Sequence, residues 1–461
     1  MISNGWILAM FAASRLAAAP TAQTVDSAAQ QVSLGALVDR VLGRSPAITQ
    51  AQERVREANA GLSEARMSSL PRLSAKSALT RGDDPVYAFG SLLEQRRFGM
   101  QNFAIGALNY PGYMTNVKSS LELGVPLFTG FALTDRRELS RMQMTAAGAG
   151  EESSRQATRY QVIEAYLRLL LDRALLENAD DRIKSATAEV EEARRLRARG
   201  LVLGSDFYAA EALFGSLQAA RVRIQSELAA TQSTLSVLME SAGPPVEPVG
   251  GLGDVGYSTA PLSALTEGAL RDRQDLREAA VAESAAAVLA RREAFSVLPT
   301  VEAFAALETN TSDFGSNPTN RMIGVRAALP IGDPTYFERR KRTAASQRAA
   351  HAGKESLEQA ARVEVGQRYH EYQAAVAMRP ILRDSVEKAE KSLELFRPLY
   401  REGRQSIFDV LRAEDALMKV RAGYLETLFS AHTGYARLQL AAGRLDSDVI
   451  REIESRLGGG R

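Results

Sequence analysis

Two stretches of this chain read as uninterrupted helical pattern for about 69 residues each, from Phe131 to Gly200 and from Pro334 to Gly403. At a rise of about 1.5 Å per residue, each would be on the order of 100 Å long, several times an ordinary globular helix. A rod of that length cannot fold into one compact core. It must pack along its sides, against other helices of the chain or of other chains. The first stretch carries two neighbouring seams at three- and four-residue spacing. Tyr160, Ile163, Leu167, Leu170 and Ala174 mark one, and Val162, Tyr166, Leu169 and Arg173 the other. Two seams suit a helix clasped from both sides within a cylinder of coiled coils. The first rod holds no proline, whereas Pro380 and Pro398 in the second predict a kink or a shift in packing.

Both rods end in the same punctuation. "RARGLVLGSDFYAAEA" sets Gly200 six residues before Asp206, and "YREGRQSIFDVLRAED" sets Gly403 six residues before Asp409. Further upstream "SSLPRLSAKSALTR" resembles "SVLPTVEAFAALET", which aligns Pro71 with Pro299. "GVPLFTGFALTDRREL" resembles "ALPIGDPTYFERRK", which aligns Pro126 with Pro330. The offset drops from 228 to 204 between these pairs, so the first copy carries about 24 extra residues after its Leu-Pro break. The chain is therefore two copies of one unit, expected at 33–240 and 262–457, with a linker at 241–261 and a tail at 458–461. In each copy an Ala-rich helix stops at Leu-Pro, because the residue before proline is pushed out of the α region. Two alternating stretches and a long helical hairpin follow.

The alternating stretches have the period of strands. "SLELGVPL" places Leu121, Leu123, Val125 and Leu127 on one face and Ser120, Glu122 and Gly124 on the other. "MIGVRAAL" sets Ile323, Val325, Ala327 and Leu329 opposite Gly324 and Arg326. Their partners, residues 72–81 and 300–309, alternate less cleanly. Stretches of about 10 residues are long enough for a tilted strand to cross a bilayer. Four strands cannot close a barrel, and an open sheet edge has no hydrogen-bond partner in lipid. A membrane-spanning reading thus requires an oligomer: two copies give eight strands and three give twelve. A small soluble sheet capping a helical bundle is the alternative.

Composition excludes several classes. Lys and Arg number 57 against 55 Asp and Glu, finely interspersed, which leaves no basic footprint for nucleic acid. With no Cys, disulfides, thiolate metal sites and anchoring through an N-terminal lipidated cysteine are ruled out. His351, His370 and His432 are scattered over polar helical sequence and read as surface or packing residues. No carboxylate–His constellation with ligand spacing is present, so neither an active site nor a cofactor is expected. No run of about 18 apolar residues predicts a transmembrane helix. "WILAMFAAS" followed by "LAAAPTA" reads as an export signal over 1–22.

Taken together, the duplicated helix–strand–strand–helix unit, the two Leu-Pro breaks, the "VPLFTG" strand end and the paired Gly-x5-Asp turns resemble the TolC-like outer membrane factor family. The loop "DDPVYAFGSLLEQRRF" is similar to loops found in many of its members. The resemblance spans nearly the whole chain after the signal. It implies a mainly α fold with a β-barrel part. In a homotrimer, four strands per chain would close a 12-stranded barrel in outer membrane lipid, and coiled-coil hairpins would continue as an α-barrel through the periplasm. It also implies a periplasmic adaptor and an inner-membrane RND or ABC transporter as partners, and transport rather than catalysis. An efflux duct is the first reading. The duct of a type I secretion system is a second, and an exported coiled-coil scaffold without a pore is a third, of another class.

By the same resemblance the two Gly-x5-Asp turns are periplasmic tips. Gly200, Leu201, Gly403 and Ser406 would meet the adaptor, with glycine allowing close backbone approach. Asp206 would pair with Tyr400 across the gate, and Asp409 would contribute one carboxylate to an acidic ring. Two positions depart from the family's best-known member: Arg412 stands where a second ring aspartate is expected, and Gln405 where a gate-locking arginine is. Helix capping is the plainer role for these acids. Ser406 and Asp409 fit an S-x-x-D capping box, and Ser205 or Asp206 is a candidate N-cap, each cap being worth about 1 kcal/mol. Gly200 and Gly403 equally suit plain helix C-caps.

Overall fold

The period-2 segments pair into one antiparallel sheet, and everything helical hangs from its ends. The computed structural model describes residues 30–240, 246–313 and 318–458; the export-signal stretch, part of the linker and the last three residues of the tail lie outside them. The first half runs β1 (Gln30–Val32), α1 (Leu34–Leu42), α2 (Pro46–Met67), β2 (Arg72–Gly82), α3 (Pro85–Glu94), a 3₁₀ turn, α4 (Ile105–Asn109), β3 (Met114–Thr129), α5 (Ala132–Ala198) and α6 (Gly204–Leu238). After β4 (Val246–Pro248) the second half runs α7 (Leu262–Asp272), α8 (Gln274–Ala294), β5 (Thr300–Thr311), β6 (Thr319–Ala328), α9 (Tyr336–Arg401), α10 (Ile407–Ala441) and α11 (Ser447–Arg456). Among the described residues no helix is long and apolar enough to cross a membrane.

The sheet order is β2-β3-β5-β6, so β2 and β6 leave free edges. Register assigns the faces. Leu73 opposes Leu123, Leu121 opposes Leu307 and Ala305 opposes Ile323, which puts these side chains on one apolar surface. Ile323 and Leu73 are 86% and 65% exposed there. The opposite face carries Lys118, Glu122, Glu302, Glu308 and Arg326. Lys118 pairs with Glu308 at 2.9 Å, and Arg326 pairs with Glu122. Leu127 departs from its expected place. The register shifts between Pro126 and Phe128, so Leu127 falls in a bulge and Phe128 pairs with Val301. Proline offers no N–H to the ladder, and a bulge is where a strand tolerates it.

Helices α5 and α9 span 67 and 66 residues. Both expected seams of α5 are filled: Ile163, Leu167, Leu170, Val162, Tyr166 and Leu169 are buried in the main core. The two prolines of the second rod do not end it. Pro380 and Pro398 both lie inside α9, which runs on through them. Each proline removes one N–H, and burial of Tyr372, Ala375, Leu393 and Tyr400 on the same helix holds the turns together.

The main core clamps the linker against the helices. β1 pairs in parallel with β4, and the Tyr166 hydroxyl accepts the Val249 N–H at 2.9 Å. Tyr257 stacks on Tyr435 with ring centroids 4.0 Å apart and donates its hydroxyl hydrogen to Nδ1 of His432. Nε2–H of the same ring donates to the Gly253 carbonyl, so the fold holds a neutral imidazole. Burial pushes its pKa down from 6.5 to about 4. Below pH 6.5 the unfolded chain takes up a proton that the folded chain refuses until about pH 4. Stability is therefore full above the unfolded value and falls as pH drops through this window, by at most ~3 kcal/mol. Thermal unfolding of the purified protein should show this acid limb, and His432→Gln, though less stable at pH 7.5, should flatten it. Identical limbs in both proteins would exclude His432 as the source.

Candidate functional site

The two Gly-x5-Asp segments fold into the same turn. α5 ends with the Gly200 N–H on the Arg197 carbonyl (2.8 Å) and the Leu201 N–H on the Leu196 carbonyl (3.0 Å). α9 ends with the Gly403 N–H on the Tyr400 carbonyl (2.9 Å) and the Arg404 N–H on the Leu399 carbonyl (2.9 Å). These are paired Schellman closures, which need a left-handed residue after the helix. Gly200 and Gly403 supply it with φ of +75° and +72°. No atom lies within 4 Å of a Cβ built on either glycine, so the backbone at both tips is open to an approaching partner. Leu201 and Leu203 are each 70% exposed at the first tip.

Three residues after each glycine the next helix is capped, and there the copies part. Ser406 caps α10: its hydroxyl accepts the Asp409 N–H at 3.2 Å, and Asp409 Oδ2 accepts the Ser406 N–H at 3.4 Å, a complete capping box. At the equivalent position of α6 stands Leu203, with no side-chain cap. Ser205 and Asp206 are thus inside the helix rather than N-caps, because the turn is set by the glycine and not by the nearest polar residue. Asp206 occupies the same third helical position as Asp409, where a carboxylate favours the helix dipole. Its carboxylate is not engaged in a capping box.

Asp206, Leu201, Tyr400, Gln405 and Ser406 line one cleft of 570 Å³ between the tips. Behind it a second apolar cluster joins Phe207, Leu217, Leu393, Ile407 and Leu411. The Tyr400 ring is buried in this cluster, and its hydroxyl has no partner among the described residues. Asp206 and Tyr400 thus share a cleft without being bonded to each other. Arg412 is exposed on α10, one turn beyond Asp409. Asp415 pairs with Lys419 at 2.6 Å.

Just above the tips lies a charged cluster that sequence reading missed. Glu414 is fully buried and accepts from Arg397 at 2.6 Å, Ser185 at 2.8 Å and Arg182 at 3.3 Å. Arg397 also donates to Glu189 at 3.0 Å. The cluster ties α5 of the first hairpin to α9 and α10 of the second. Burial, and then the neighbouring Glu414 charge, raise the Glu189 pKa above the usual carboxylate range. The signal was present: the first α5 seam continues past Ala174 as Asn178, Arg182, Ser185 and Glu189, at the same three- and four-residue spacing. Among the described residues no group of acids and histidines is placed to hold a metal.

The sequence matches the outer membrane efflux protein family over residues 37–240 and 265–444. The chain belongs to that family. A curated relative, outer membrane efflux protein BepC of Brucella suis biovar 1 (strain 1330), is 23% identical over 401 residues, covering 84% of this chain and 86% of its own. The fold is shared with the CmeC outer membrane channel of Campylobacter jejuni (TM-score 0.77, 15% identity, 92% of this chain and 89% of that one). It is shared too with VceC from Vibrio cholerae (TM-score 0.74, 18% identity, 90% and 97%).

This efflux protein is thus an outer membrane channel reaching into the periplasm, with no catalytic role. Its tip region separates two kinds of acid by cost. Removing Glu414 takes the counter-charge from the mostly buried Arg182 and leaves Arg397 with Glu189 alone, so Glu414→Leu should destabilise by about 3 kcal/mol. Asp409→Ala loses only a cap, about 1 kcal/mol. Thermal unfolding of the detergent-solubilised protein reads both, and equal small losses would contradict the buried cluster.

Proposed function

We propose that this protein is the exit duct of a tripartite efflux pump, conducting small molecules from an inner-membrane transporter and a periplasmic adaptor to the cell exterior. The observation that carries this is the four-stranded sheet, apolar on one face and charged on the other, with two free edges and long hairpins below. In lipid those edges must be paired. Three copies would join β6 of one to β2 of the next in a twelve-stranded barrel, charged face inward. The hairpins would then form one tunnel, with their tips drawn together around its axis. The partners are an adaptor reaching the open backbone at Gly200, Leu201, Gly403 and Ser406, and a transporter of RND or ABC type.

The tips form the gate. Asp206, free of any capping box, supplies a carboxylate to the cleft, and the unpartnered Tyr400 hydroxyl is the donor beside it. Asp409 from three copies makes a ring that binds cations, as rings of carboxylates do in a narrow pore. Arg412 at the next turn dilutes that acidity, and Gln405 replaces a charged lock with a neutral amide. Because Asp409 also caps α10, its two roles are separated by Asp409→Asn, which keeps an acceptor for the cap and removes the charge. Single-channel current in planar bilayers should show cation preference and block by multivalent cations in the wild type, both weakened in the variant. Unchanged selectivity would leave Asp409 as a cap alone. Failure of a folded oligomer to insert would defeat the duct reading.

A further inference from the structure

Most of the extra segment of the first copy does not go into the strands; it folds back onto the sheet. After β2 the chain turns at Asp84, whose carboxylate accepts the Tyr87 N–H at 2.8 Å, and Pro85 opens α3. The helix leaves β2, crosses β3 and reaches β5. Its far end is fixed by a run of amides. Gln95 Nε2 donates to the Thr115 carbonyl at 2.9 Å and to Asn116 Oδ1 at 3.0 Å. Asn116 Nδ2 donates to Asn310 Oδ1 at 2.9 Å, and Asn310 Nδ2 to Glu308 Oε1 at 2.8 Å. Asn116, Asn310 and Glu308 belong to the charged face of the sheet, as does Lys118, 3.9 Å from Glu94. α3 therefore lies on that face, and Gln95, Asn116 and Asn310 are buried beneath it.

Helical spacing fixes what the other side presents. Ala88 and Ser91 are buried with Gln95 toward the sheet, and Val86 and Leu93 lie about half a turn away. They are 81% and 50% exposed. Two large apolar side chains thus project off the charged wall, where the duct reading puts a water-filled lumen. The second copy joins β5 to β6 through residues 312–318, too few for a helix like α3.

We infer that α3 from each copy forms an apolar constriction at the outer mouth of the barrel, lined by Val86 and Leu93 and separate from the hairpin tips. The inference rests on the trimeric duct reading above. An apolar ring narrows the wetted section and resists hydration. It slows hydrated ions and favours passengers with apolar surface.

Both residues stand away from the sheet, so polar replacements leave the anchoring amides intact. In planar bilayers, full-length Val86→Ser/Leu93→Ser should raise the conductance of fully open events roughly two-fold over wild type, as expected when a dewetted ring becomes polar. The chain has no cysteine, so Leu93→Cys offers a single thiol. A bulky maleimide added from the loop side should then cut the open-channel current, with the cation preference set at the tips unchanged. Unaltered conductance in the serine variant together with no block at Leu93→Cys overturns the constriction and leaves the duct standing. Wild-type protein that forms no channels overturns the duct itself.

Discussion

The unpaired backbone along β2 and β6 governs the rest of this molecule. A row of N–H and C=O groups facing hydrocarbon is among the most costly arrangements a protein can adopt. In an outer membrane channel the cost is removed only when other copies extend the sheet. In the duct proposed above, that closure dictates the helices below. Rods joined to a closed ring of strands must run side by side. Val363, Ile381 and Leu395 on α9 are 59%, 64% and 70% exposed in the single chain. They are scattered singly along the rod, and it is the free strand edges rather than these side chains that call for neighbours.

Along the rods the packing changes in kind. At the level of the linker, α5 is held by a dry core around Tyr166, Leu167 and Leu170, with α1 and α11 closing over it. Toward the tips the same seam turns polar at Arg182, Ser185 and Glu189, which meet Arg397 of α9 and Glu414 of α10. Buried ion pairs add little net stability against an apolar alternative, since desolvation offsets most of the attraction. They can, however, be rehydrated when helices part. The hairpins are thus held at two apolar levels, the main core and the cluster behind the tips, with the charged cluster set into the second.

Much of this was legible from local pattern. The rods, the strand faces and the Schellman glycines are each set by residues a few positions apart. So is the capping box of Ser406 and Asp409, whose partners sit three residues apart. What escaped was whatever a second segment decides. Nothing within α10 marks Glu414 as buried until α5 brings Arg182 and Ser185 to it. Leu127 keeps perfect alternation in sequence, yet the missing N–H of Pro126 opens a bulge and moves it out of register. Pro380 and Pro398 read as a kink or a shift in packing, and the helix runs on through both. Ser205 and Asp206 are good N-cap residues by type, but the Schellman turn fixes the cap at Leu203.

The two copies build the same scaffold and differ mainly at its extremities. At the tips one turn shows exposed leucines at 201 and 203, and its counterpart shows Arg404, Gln405 and a capping serine. At the opposite end only the first copy folds a helix over the charged face of the sheet. Between them the strands and rods recur in the same order, and the rods keep nearly the same lengths. The strands and rods must satisfy backbone hydrogen bonds and lateral packing at every residue, so drift there is costly in either copy. The ends face water or a partner, where a substitution strands no buried group. Duplication thus gives a pseudo-symmetric chain whose two ends are each asymmetric. Whatever discriminates among passengers or partners is expected where the copies diverge.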